Sequence, residues 1–310
     1  MRIAVVGAGG VGGYFGTRLA QAGNEVTFVA RGRHLEAIRA NGGLVVRSPL
    51  GEFRAPADRF VPDIGDVGPV DVVLVAVKLW DTEDVAERLR GLAEAGARVI
   101  SLQNGVRKDT VLRRHLPPEA VWGGVCYISA VIEEPGVVSH RGTMQKLVFG
   151  PYDGEGTARA EEFRAVCEKA GVDAEVSADI ARVVWEKFVF LTGLSGTTSA
   201  VRQPIGVVRA DPATRGLLRD VMAEAVAVGR ASGVRLEESF VDEQLAFCDT
   251  LPATMTSSMH NDLEQGNRLE LPWLSGGVAD LGRELGVPTP RNRTLADILA
   301  PNVPGRPRLP

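Results

Sequence analysis

The chain has 310 residues, 45% of them hydrophobic, and a formal net charge of −4 at pH 7. This length allows two domains with a large core, and the weak negative charge excludes the basic surface that nucleic-acid-binding proteins use. Because the first residues already form an apolar strand and no apolar run reaches about 18 residues, we expect a cytoplasmic protein without membrane contact. The three cysteines and four histidines follow no disulfide or metal-ligand spacing, so we expect buried cysteines and no metal site.

The first thirty residues have the pattern of a dinucleotide-binding βαβ unit. An apolar strand leads into Gly7-Ala8-Gly9-Gly10-Val11-Gly12, a helical stretch to about Gln21 follows, and a second strand spans Glu25–Ala30. In such a loop Gly7 permits the tight turn, Gly9 lets the backbone approach phosphate oxygens, and Gly12 lets the helix pack against the sheet. Free amides at the helix start attract a pyrophosphate. The alternative is an ordinary glycine turn.

An arginine stands at the end of the second strand. Arg31 occupies the position where NAD-specific sites carry an acidic residue for the ribose 2′-hydroxyl. A guanidinium suits a 2′-phosphate because it forms paired, charge-assisted hydrogen bonds, and Arg33 is close enough in the chain to contribute. The alternative is a solvated basic loop. We therefore expect the cofactor to be NADPH (NADP) rather than NADH.

The remaining elements separate at about residue 178. Before it we predict a hairpin over 43–54, a strand over 70–77, a helix over 82–95 and a strand over 97–102, then antiparallel strands between 121 and 150, a helix near 157–170 and a strand near 173–176. After it we predict only helices, over 179–194, 212–232, 237–250, 256–266 and 273–285. The fold class is therefore α/β, with a Rossmann-type domain over 1–178 and an all-α domain over 179–310. Its proline-rich end from Ala300 to Pro310 is expected to fray.

Lysines are scarce in this chain, since only five of its 35 basic residues are lysines. Lys187 lies in a helical stretch that is apolar on nearly every side, and we expect it to be buried. A desolvated ammonium needs a partner, and it can act as a general acid. The alternative is a lysine that extends to the surface beside Glu186. Lys78 and Asn104 each follow an apolar strand, at the edge where such sheets bind ligands; a solvated loop is the alternative for Lys78.

Two other polar residues stand in informative places. Glu270 lies between leucines, ahead of a helix that Pro272 can begin, so it is either a partner for a cation or a complement to that helix dipole. Ser258 fits a helix N-cap as well as it fits a ligand contact. Spacing along the chain does not bring Lys187, Ser258 and Glu270 together.

Between residue 1 and about residue 290 these motifs resemble the ketopantoate reductase (2-dehydropantoate 2-reductase) family. The resemblance depends on Gly7-Ala-Gly-Gly-Val-Gly12, Val77-Lys78, Gln103-Asn104-Gly105, Trp185-Glu-Lys187, Ser257-Ser-Met259 with Asp262, and Arg268-Leu-Glu270. It implies a Rossmann domain and a helical domain, with NADPH and a small-molecule 2-oxo acid meeting in the cleft. A homodimer through the helical domain is compatible with the sequence.

The resemblance also implies roles for individual residues. Lys187 matches the catalytic lysine, Glu270 the glutamate beside the cofactor and active site, and Ser258 the serine that holds the substrate carboxylate. Asn104 matches a residue that also reaches the substrate. Cofactor-side positions are matched by Lys78, Asn104 and Ala130. The implied reaction is reduction of a small branched 2-oxo acid, foremost 2-dehydropantoate to pantoate in pantothenate biosynthesis.

The expected substrate shell departs from the family pattern. Members proven on ketopantoate carry asparagines four and eight residues after the catalytic lysine, where this chain has Leu191 and Ser195, and a third would align near Ile205. Since those amides bind polar groups of the substrate, we expect Leu191 and Ser195 to line the pocket and change its selectivity. The alternatives are a reductase of another oxo acid or β-dicarbonyl compound, and a non-catalytic NADPH-binding regulatory module. The module does not explain why Lys187, Ser258 and Glu270 are all retained.

Overall fold

A computed structural model describes residues 1–306 of the protein, which fold as two compact units. The first unit contains residues 1–104 and 108–183. The second contains residues 105–107 and the chain from Val184 onward.

The first unit contains one mixed sheet of ten strands. They are β1 (Arg2–Val6), β2 (Glu25–Val29), β3 (Gly43–Ser48), β4 (Gly51–Pro56), β5 (Phe60–Val61), β6 (Val72–Val75), β7 (Arg98–Ser101), β8 (Val121–Glu134), β9 (Val137–Gly150) and β10 (Asp173–Val176). Their order is β4-β3-β9-β8-β7-β6-β1-β2-β5, and β10 pairs with β9. From β5 to β8 all neighbours are parallel, in the strand order of a doubly wound dinucleotide-binding fold.

The predicted hairpin and the predicted antiparallel pair are both confirmed. β3 pairs with β4 and β8 pairs with β9, each antiparallel. The helices of this unit are α1 (Gly10–Gln21), α2 (Gly32–Ala40), α3 (Thr82–Glu94), α4 (Lys108–His115) and α5 (Thr157–Lys169). The sequence pattern does not predict α2 and α4, because each is short and has few buried apolar side chains.

The central strands are buried on both faces, which explains their continuous apolar sequence. Successive side chains of a strand point to opposite faces. Accordingly Val72 and Leu74 of β6 enter one hydrophobic core, while Val73 and Val75 enter the core on the other face. All four are at most 1% exposed. The sheet is thereby held rigid, and the loops at its carboxyl edge are placed by it.

The second unit is helical, as predicted. Its helices are α6 (Ile180–Val201), α7 (Ile205–Ala210), α8 (Pro212–Ala231), α9 (Phe240–Thr250), α10 (Ser258–Gln265), α11 (Ser275–Leu285) and α12 (Pro290–Leu299). Between residues 180 and 306 there is no β-strand. The sequence pattern does not predict α7 and α12. Both start at or directly after a proline, a residue that suits a first helical turn and also marks loops.

The expected fraying of the chain end is wrong for residues 300–306. Residues Ala300–Asn302 form a 3-10 turn. Leu269 donates its backbone N–H to the Val303 carbonyl at 3.0 Å, and Arg306 donates to the Gly266 carbonyl at 2.9 Å. Backbone pairing with a neighbouring loop therefore holds this segment despite its prolines. Residues 307–310 of the expected fraying segment lie outside the described part of the chain.

The three cysteines are buried, as predicted, with Cys126, Cys167 and Cys248 each at most 5% exposed. Burial raises the pKa of Cys167 to about 12 and that of Cys248 to about 11, so both remain protonated thiols. Within residues 1–306, no group of three or more histidine, cysteine, aspartate or glutamate side chains is placed to hold a metal ion. None of the helices in that range is long and apolar enough to cross a membrane.

Candidate functional site

Close backbone contacts shape the glycine loop between β1 and α1. Gly7 has φ of +101°, where a side chain is strained, and a Cβ there would lie 2.8 Å from the Ala76 carbonyl. A Cβ on Gly12 would lie 2.1 Å from the Gly7 oxygen, and one on Gly10 would lie 2.2 Å from the Ala130 oxygen. Packing of the chain itself therefore requires these three glycines. The structure also brings Ala130 against the loop.

Gly9 has no such packing reason. A Cβ on Gly9 would meet only the Ile132 Cδ1 atom, 4.0 Å away, and its φ of −74° suits any residue. Gly9 is the N-cap of α1, so it adjoins first-turn amides that have no partner within the helix. The bare backbone leaves open space next to these donors. A phosphate group fits this arrangement, because amide N–H groups and the helix dipole both favour an anion.

The glycine loop lines part of a cleft of about 190 Å³ in the first unit. Arg31, two residues beyond the end of β2 and at the N-cap of α2, lines the same cleft, as does Arg88 of α3. The Arg31 side chain is 58% exposed, and its Nη2 lies 3.7 Å from Asp81 Oδ2. The position predicted for Arg31 at the strand end is confirmed. Arg88 carries no sequence signal of its own, because only the packing of α3 brings it to this cleft.

A histidine holds the glycine loop in place. The backbone N–H of Gly136 donates to His34 Nδ1 at 3.1 Å. Nε2 therefore carries the ring proton and donates to the Ala8 oxygen at 2.9 Å. Burial lowers the pKa of His34, so the ring is neutral at pH 7. It joins the loop after β1 to the turn between β8 and β9. Metal-ligand spacing of the histidines in the sequence does not predict that His34 joins two loops.

Lys78 and Asn104 lie just beyond β6 and β7, at the carboxyl edge of the sheet, as predicted. The side chain of buried Gln103 joins their two loops. Its Nε2 donates to the Val77 oxygen at 3.0 Å and to Thr82 Oγ1 at 2.8 Å. The segments that carry Lys78 and Asn104 are therefore fixed to each other, although neither residue takes part in these two hydrogen bonds.

The most completely buried lysine is Lys108, at the start of α4 and 2% exposed. Its Nζ donates to the Ser101 oxygen at 2.8 Å and to the Gly124 oxygen at 2.9 Å, and both carboxylate oxygens of Asp109 lie 3.2 Å away. Tyr152 donates its hydroxyl to Asp109 at 2.6 Å. Burial and the charge of Asp109 raise the pKa of Tyr152, which keeps it a donor. This cluster ties β7, β8 and α4 together.

In the second unit, Lys187, Leu191 and Ser195 recur every fourth residue of α6, so they share one face. The sequence predicts a buried Lys187, and the structure places it at a partly buried position. Partly exposed positions recur along α6 at 183, 186–187 and 190–191, so one narrow strip of this apolar helix is not covered. Ser195 is fully buried, and its hydroxyl donates to the Leu191 carbonyl.

The N-cap of α10 is Ser257 and not Ser258. Ser257 Oγ accepts a hydrogen bond from the His260 N–H at 3.0 Å, whereas Ser258 is the first helical residue and is exposed. The N-cap interpretation of Ser258 is therefore wrong. The buried His260 ring also fixes α10 to α6, because its Nδ1 donates to the Thr198 oxygen at 2.9 Å.

Glu270 is 9% exposed and lies directly before a 3-10 turn over Leu271–Trp273. Its carboxylate does not cap that turn. The alternative role of Glu270 as a complement to a following helix is therefore weakened, because the turn is short and α11 starts only at Ser275.

One hydrophobic cluster supports all three polar residues of the second unit. Its members include sequence neighbours of Lys187, Ser258 and Glu270: Phe188, Val189, Met259, Leu269 and Leu271. The backbone of residues that adjoin a close-packed core has little freedom to move. Lys187, Ser258 and Glu270 therefore emerge from a single rigid support, which spacing along the chain did not establish.

Comparison with known proteins covers nearly the whole chain. The family model described as "Ketopantoate reductase PanE/ApbA" matches residues 3–154, and the model of its C-terminal domain matches residues 179–302. A 2-dehydropantoate 2-reductase of Halobacterium salinarum is 34% identical, over 96% of this chain and 98% of its own length. The uncharacterized oxidoreductase YkpB of Bacillus subtilis is 32% identical, over 94% and 95%.

Among solved structures, a 2-dehydropantoate 2-reductase from Geobacter metallireducens is similar with a TM-score of 0.88 and 33% identity. The likeness covers 97% of this chain and 99% of that chain. The glycine loop, the strand order and the two-unit architecture described above agree with these matches. The chain therefore belongs to the PanE/ApbA ketopantoate reductase family of oxidoreductases.

Proposed function

We propose that this protein reduces a small branched 2-oxo acid to the 2-hydroxy acid with NADPH, with 2-dehydropantoate as the foremost substrate and pantoate as its product. The observation that supports this most strongly is the glycine-loop cleft. Packing does not require a glycine at position 9, and the missing side chain leaves open space there. Arg31, beyond β2, lines the same cleft. Membership of the ketopantoate reductase family supports the oxo acid as substrate.

We assign dinucleotide binding to the first unit. When bound, the nicotinamide cofactor supplies the hydride that reduces the carbonyl. The first-turn amides of α1, over Gly10, Val11 and Gly12, bind the pyrophosphate, and Arg31 binds the 2′-phosphate. His34 keeps the loop in its binding shape through the Ala8 oxygen. The remaining residues assigned to the cofactor side are Lys78, Asn104, Ala130 and Glu270.

We assign the proton chemistry to the second unit. Lys187 Nζ donates a hydrogen bond to the substrate C2 oxygen and then its proton, while its charge stabilises the negative charge that develops there. Glu270 orients the ammonium of Lys187. Ser258, an exposed residue that is not the N-cap of α10, donates to the substrate carboxylate. Asn104 also contacts the substrate.

The broad activity is tested by following NADPH oxidation with a panel of 2-oxo acids that includes ketopantoate and 2-oxoisovalerate. Turnover fastest with ketopantoate supports the full proposal. Leu191 and Ser195 in place of the family's asparagines favour a second candidate, a reductase of another oxo acid or β-dicarbonyl compound, and faster turnover of such a compound would support it. NADPH binding without turnover of any compound would contradict both.

Arg31→Ala is expected to raise the Kd for NADPH about ten- to a hundred-fold and leave the Kd for NADH nearly unchanged, because only the phosphate contact is lost. Fluorescence titration of both cofactors into wild type and variant measures this. The contact should also weaken as salt rises, since Arg31 is exposed. Arg39→Ala, an exposed arginine at the end of the same helix, is the matched control. Equal wild-type affinity for NADH and NADPH would show that Arg31 is only a solvated loop residue.

The double variant Leu191→Asn, Ser195→Asn is expected to raise kcat/KM for ketopantoate relative to 2-oxoisovalerate by about ten-fold. The reason is that an added amide binds the polar group that ketopantoate has and 2-oxoisovalerate lacks. Ser195 is fully buried, so Ser195→Asn risks overpacking. Leu191→Asn alone, at a partly exposed position, keeps the test valid if the double variant unfolds. Val207→Asn, on an exposed position of α7, is the control. An unchanged ratio in both variants would mean that these positions do not set selectivity.

A further inference from the structure

We propose that Arg88 is a second phosphate ligand, which forms with Arg31 a two-guanidinium site for the 2′-phosphate of NADPH. This assignment rests on the proposed function and deepens it. It adds a specificity-determining residue to the cofactor site. Arg88 replaces Arg33, the neighbour in sequence, as the partner of Arg31.

Both arginines line the cleft that the glycine loop also lines, although they come from separate elements. Arg31 follows β2, and Arg88 stands on α3, whose Val85 and Leu89 are buried in the core. The packed face of α3 therefore fixes where the Arg88 side chain begins. That side chain is 35% exposed, compared with 58% for Arg31. The less exposed of the two guanidinium groups is screened less by solvent.

A single carboxylate, that of Asp63, contacts Arg88 and is also influenced by the charge of Arg31. Arg88 Nη2 donates to Asp63 Oδ1, and the same oxygen accepts the Gly65 N–H at 2.8 Å. Asp63 is thus fixed by its own loop and holds the guanidinium at the cleft. The charges of Arg88 and Arg31 both contribute to the lowered pKa of Asp63, behind the hydrogen bond from Gly65. The two guanidinium groups therefore lie in the field of the same carboxylate.

Both guanidinium groups retain donors for a ligand. Arg88 Nη1 lies 3.9 Å from Asp84 Oδ2, and Arg31 Nη2 lies 3.7 Å from Asp81 Oδ2, both longer than a hydrogen bond. A guanidinium carries several N–H donors in one plane, so Arg88 can keep Asp63 and still bind phosphate. Neither of these two contacts occupies an N–H donor, so Arg31 and Arg88 can each donate to a further acceptor.

The local charge explains why one arginine is not enough. Three carboxylates, those of Asp63, Asp81 and Asp84, lie within 4.0 Å of the two guanidinium groups. A phosphate beside Arg31 alone would stand next to an excess of negative charge. Because the three carboxylates outnumber the two guanidinium groups, a second cation at the phosphate offsets more of this negative charge than Arg31 can alone. The same carboxylates could accept a hydrogen bond from the ribose 2′-hydroxyl of NADH. They would therefore favour NADH over NADPH if the arginines did not bind the phosphate.

The test is titration of NADPH, NADH and 2′,5′-ADP into wild type, Arg88→Gln and Arg90→Gln. Arg90 is an exposed arginine of the same helix and serves as the matched control. We expect Arg88→Gln to weaken NADPH and 2′,5′-ADP about ten-fold and NADH less than about two-fold, and Arg90→Gln to change none of them. The Arg31→Ala, Arg88→Gln double variant should bind NADPH no more tightly than NADH. Thermal melting verifies that each variant is folded.

The outcomes separate the two proposals. If wild type prefers NADPH and Arg88→Gln leaves that preference unchanged, Arg88 is only an ion-pair partner of Asp63, and the two-guanidinium site is overturned while the NADPH assignment stands. If wild type binds NADH as tightly as NADPH, the NADPH assignment itself fails. If Arg88→Gln weakens NADPH and NADH equally, the residue supports the cleft and does not read the phosphate.

Discussion

Replacing Lys187 by alanine is expected to lower kcat by two orders of magnitude or more, while the Kd for NADPH stays nearly unchanged. In the proposed mechanism the variant loses both the proton donor and the charge that stabilises the developing alkoxide, and both act most strongly in the transition state. The assigned cofactor contacts lie on other residues, so ground-state binding of NADPH is preserved. Steady-state kinetics with a 2-oxo acid and fluorescence titration of NADPH measure the two effects separately.

Two companion variants make the Lys187 result specific. Lys169→Ala removes an exposed lysine at the end of α5 and should leave kcat unchanged. Lys187→Arg keeps the positive charge but is a poor proton donor, so it should retain more substrate affinity than Lys187→Ala without restoring kcat. Near-normal turnover of Lys187→Ala would remove Lys187 from the catalytic assignment.

Replacing Lys108 by methionine is expected to lower the free energy of unfolding by about 3–5 kcal/mol, the usual cost of removing one partner from a buried ion pair. The ammonium satisfies the Ser101 and Gly124 carbonyl oxygens and the Asp109 carboxylate. In the variant, all three acceptors remain buried and lose this donor. Methionine fills a similar volume, so the loss reports the polar contacts and not a cavity.

Urea denaturation followed by circular dichroism measures this loss, with an unchanged slope as the sign of intact two-state unfolding. Lys169→Met is the matched control, because the same change at an exposed lysine should alter stability by no more than about 0.5 kcal/mol. A loss below about 1 kcal/mol for Lys108→Met would contradict the view that this cluster stabilises the packing of α4 against β7 and β8.

The two lysines show where sequence patterns are reliable and where they are not. Apolar residues around Lys187 predict a buried helix, and α6 is indeed largely buried. The partly exposed strip that includes Lys187 depends on which neighbouring segments cover α6, and no property of the helix itself reveals that. Lys108 gives the opposite case. Its surroundings in the chain are polar, and its acceptors come from β7 and β8, which pack around it only in the folded unit.

A second limit of prediction from sequence patterns is the exact residue at which a feature such as a helix cap occurs. A run of serine and threonine before α10 predicts a cap, but the choice between Ser257 and Ser258 depends on backbone angles and on the His260 N–H. The end of the chain is similar, because prolines favour fraying while the pairing of Val303 and Arg306 with the loop at Gly266–Leu269 holds it. Local composition describes one segment at a time, whereas each of these outcomes needs a partner from elsewhere.

Features that short-range chemistry controls can be predicted from the amino-acid order alone. The glycine loop, the apolar central strands, the position of Arg31 at a strand end and the change from an α/β to a helical pattern all depend on neighbouring residues and on fixed periods of two or 3.6. Which distant groups come into contact depends on how the elements pack in three dimensions. Arg88 shares a cleft with Arg31, Gln103 joins two loops, His34 holds the glycine loop, and one core supports Lys187, Ser258 and Glu270. These contacts arise because separate elements pack into one interior. Burial of adjacent residues then fixes side chains that are far apart in the chain as neighbours.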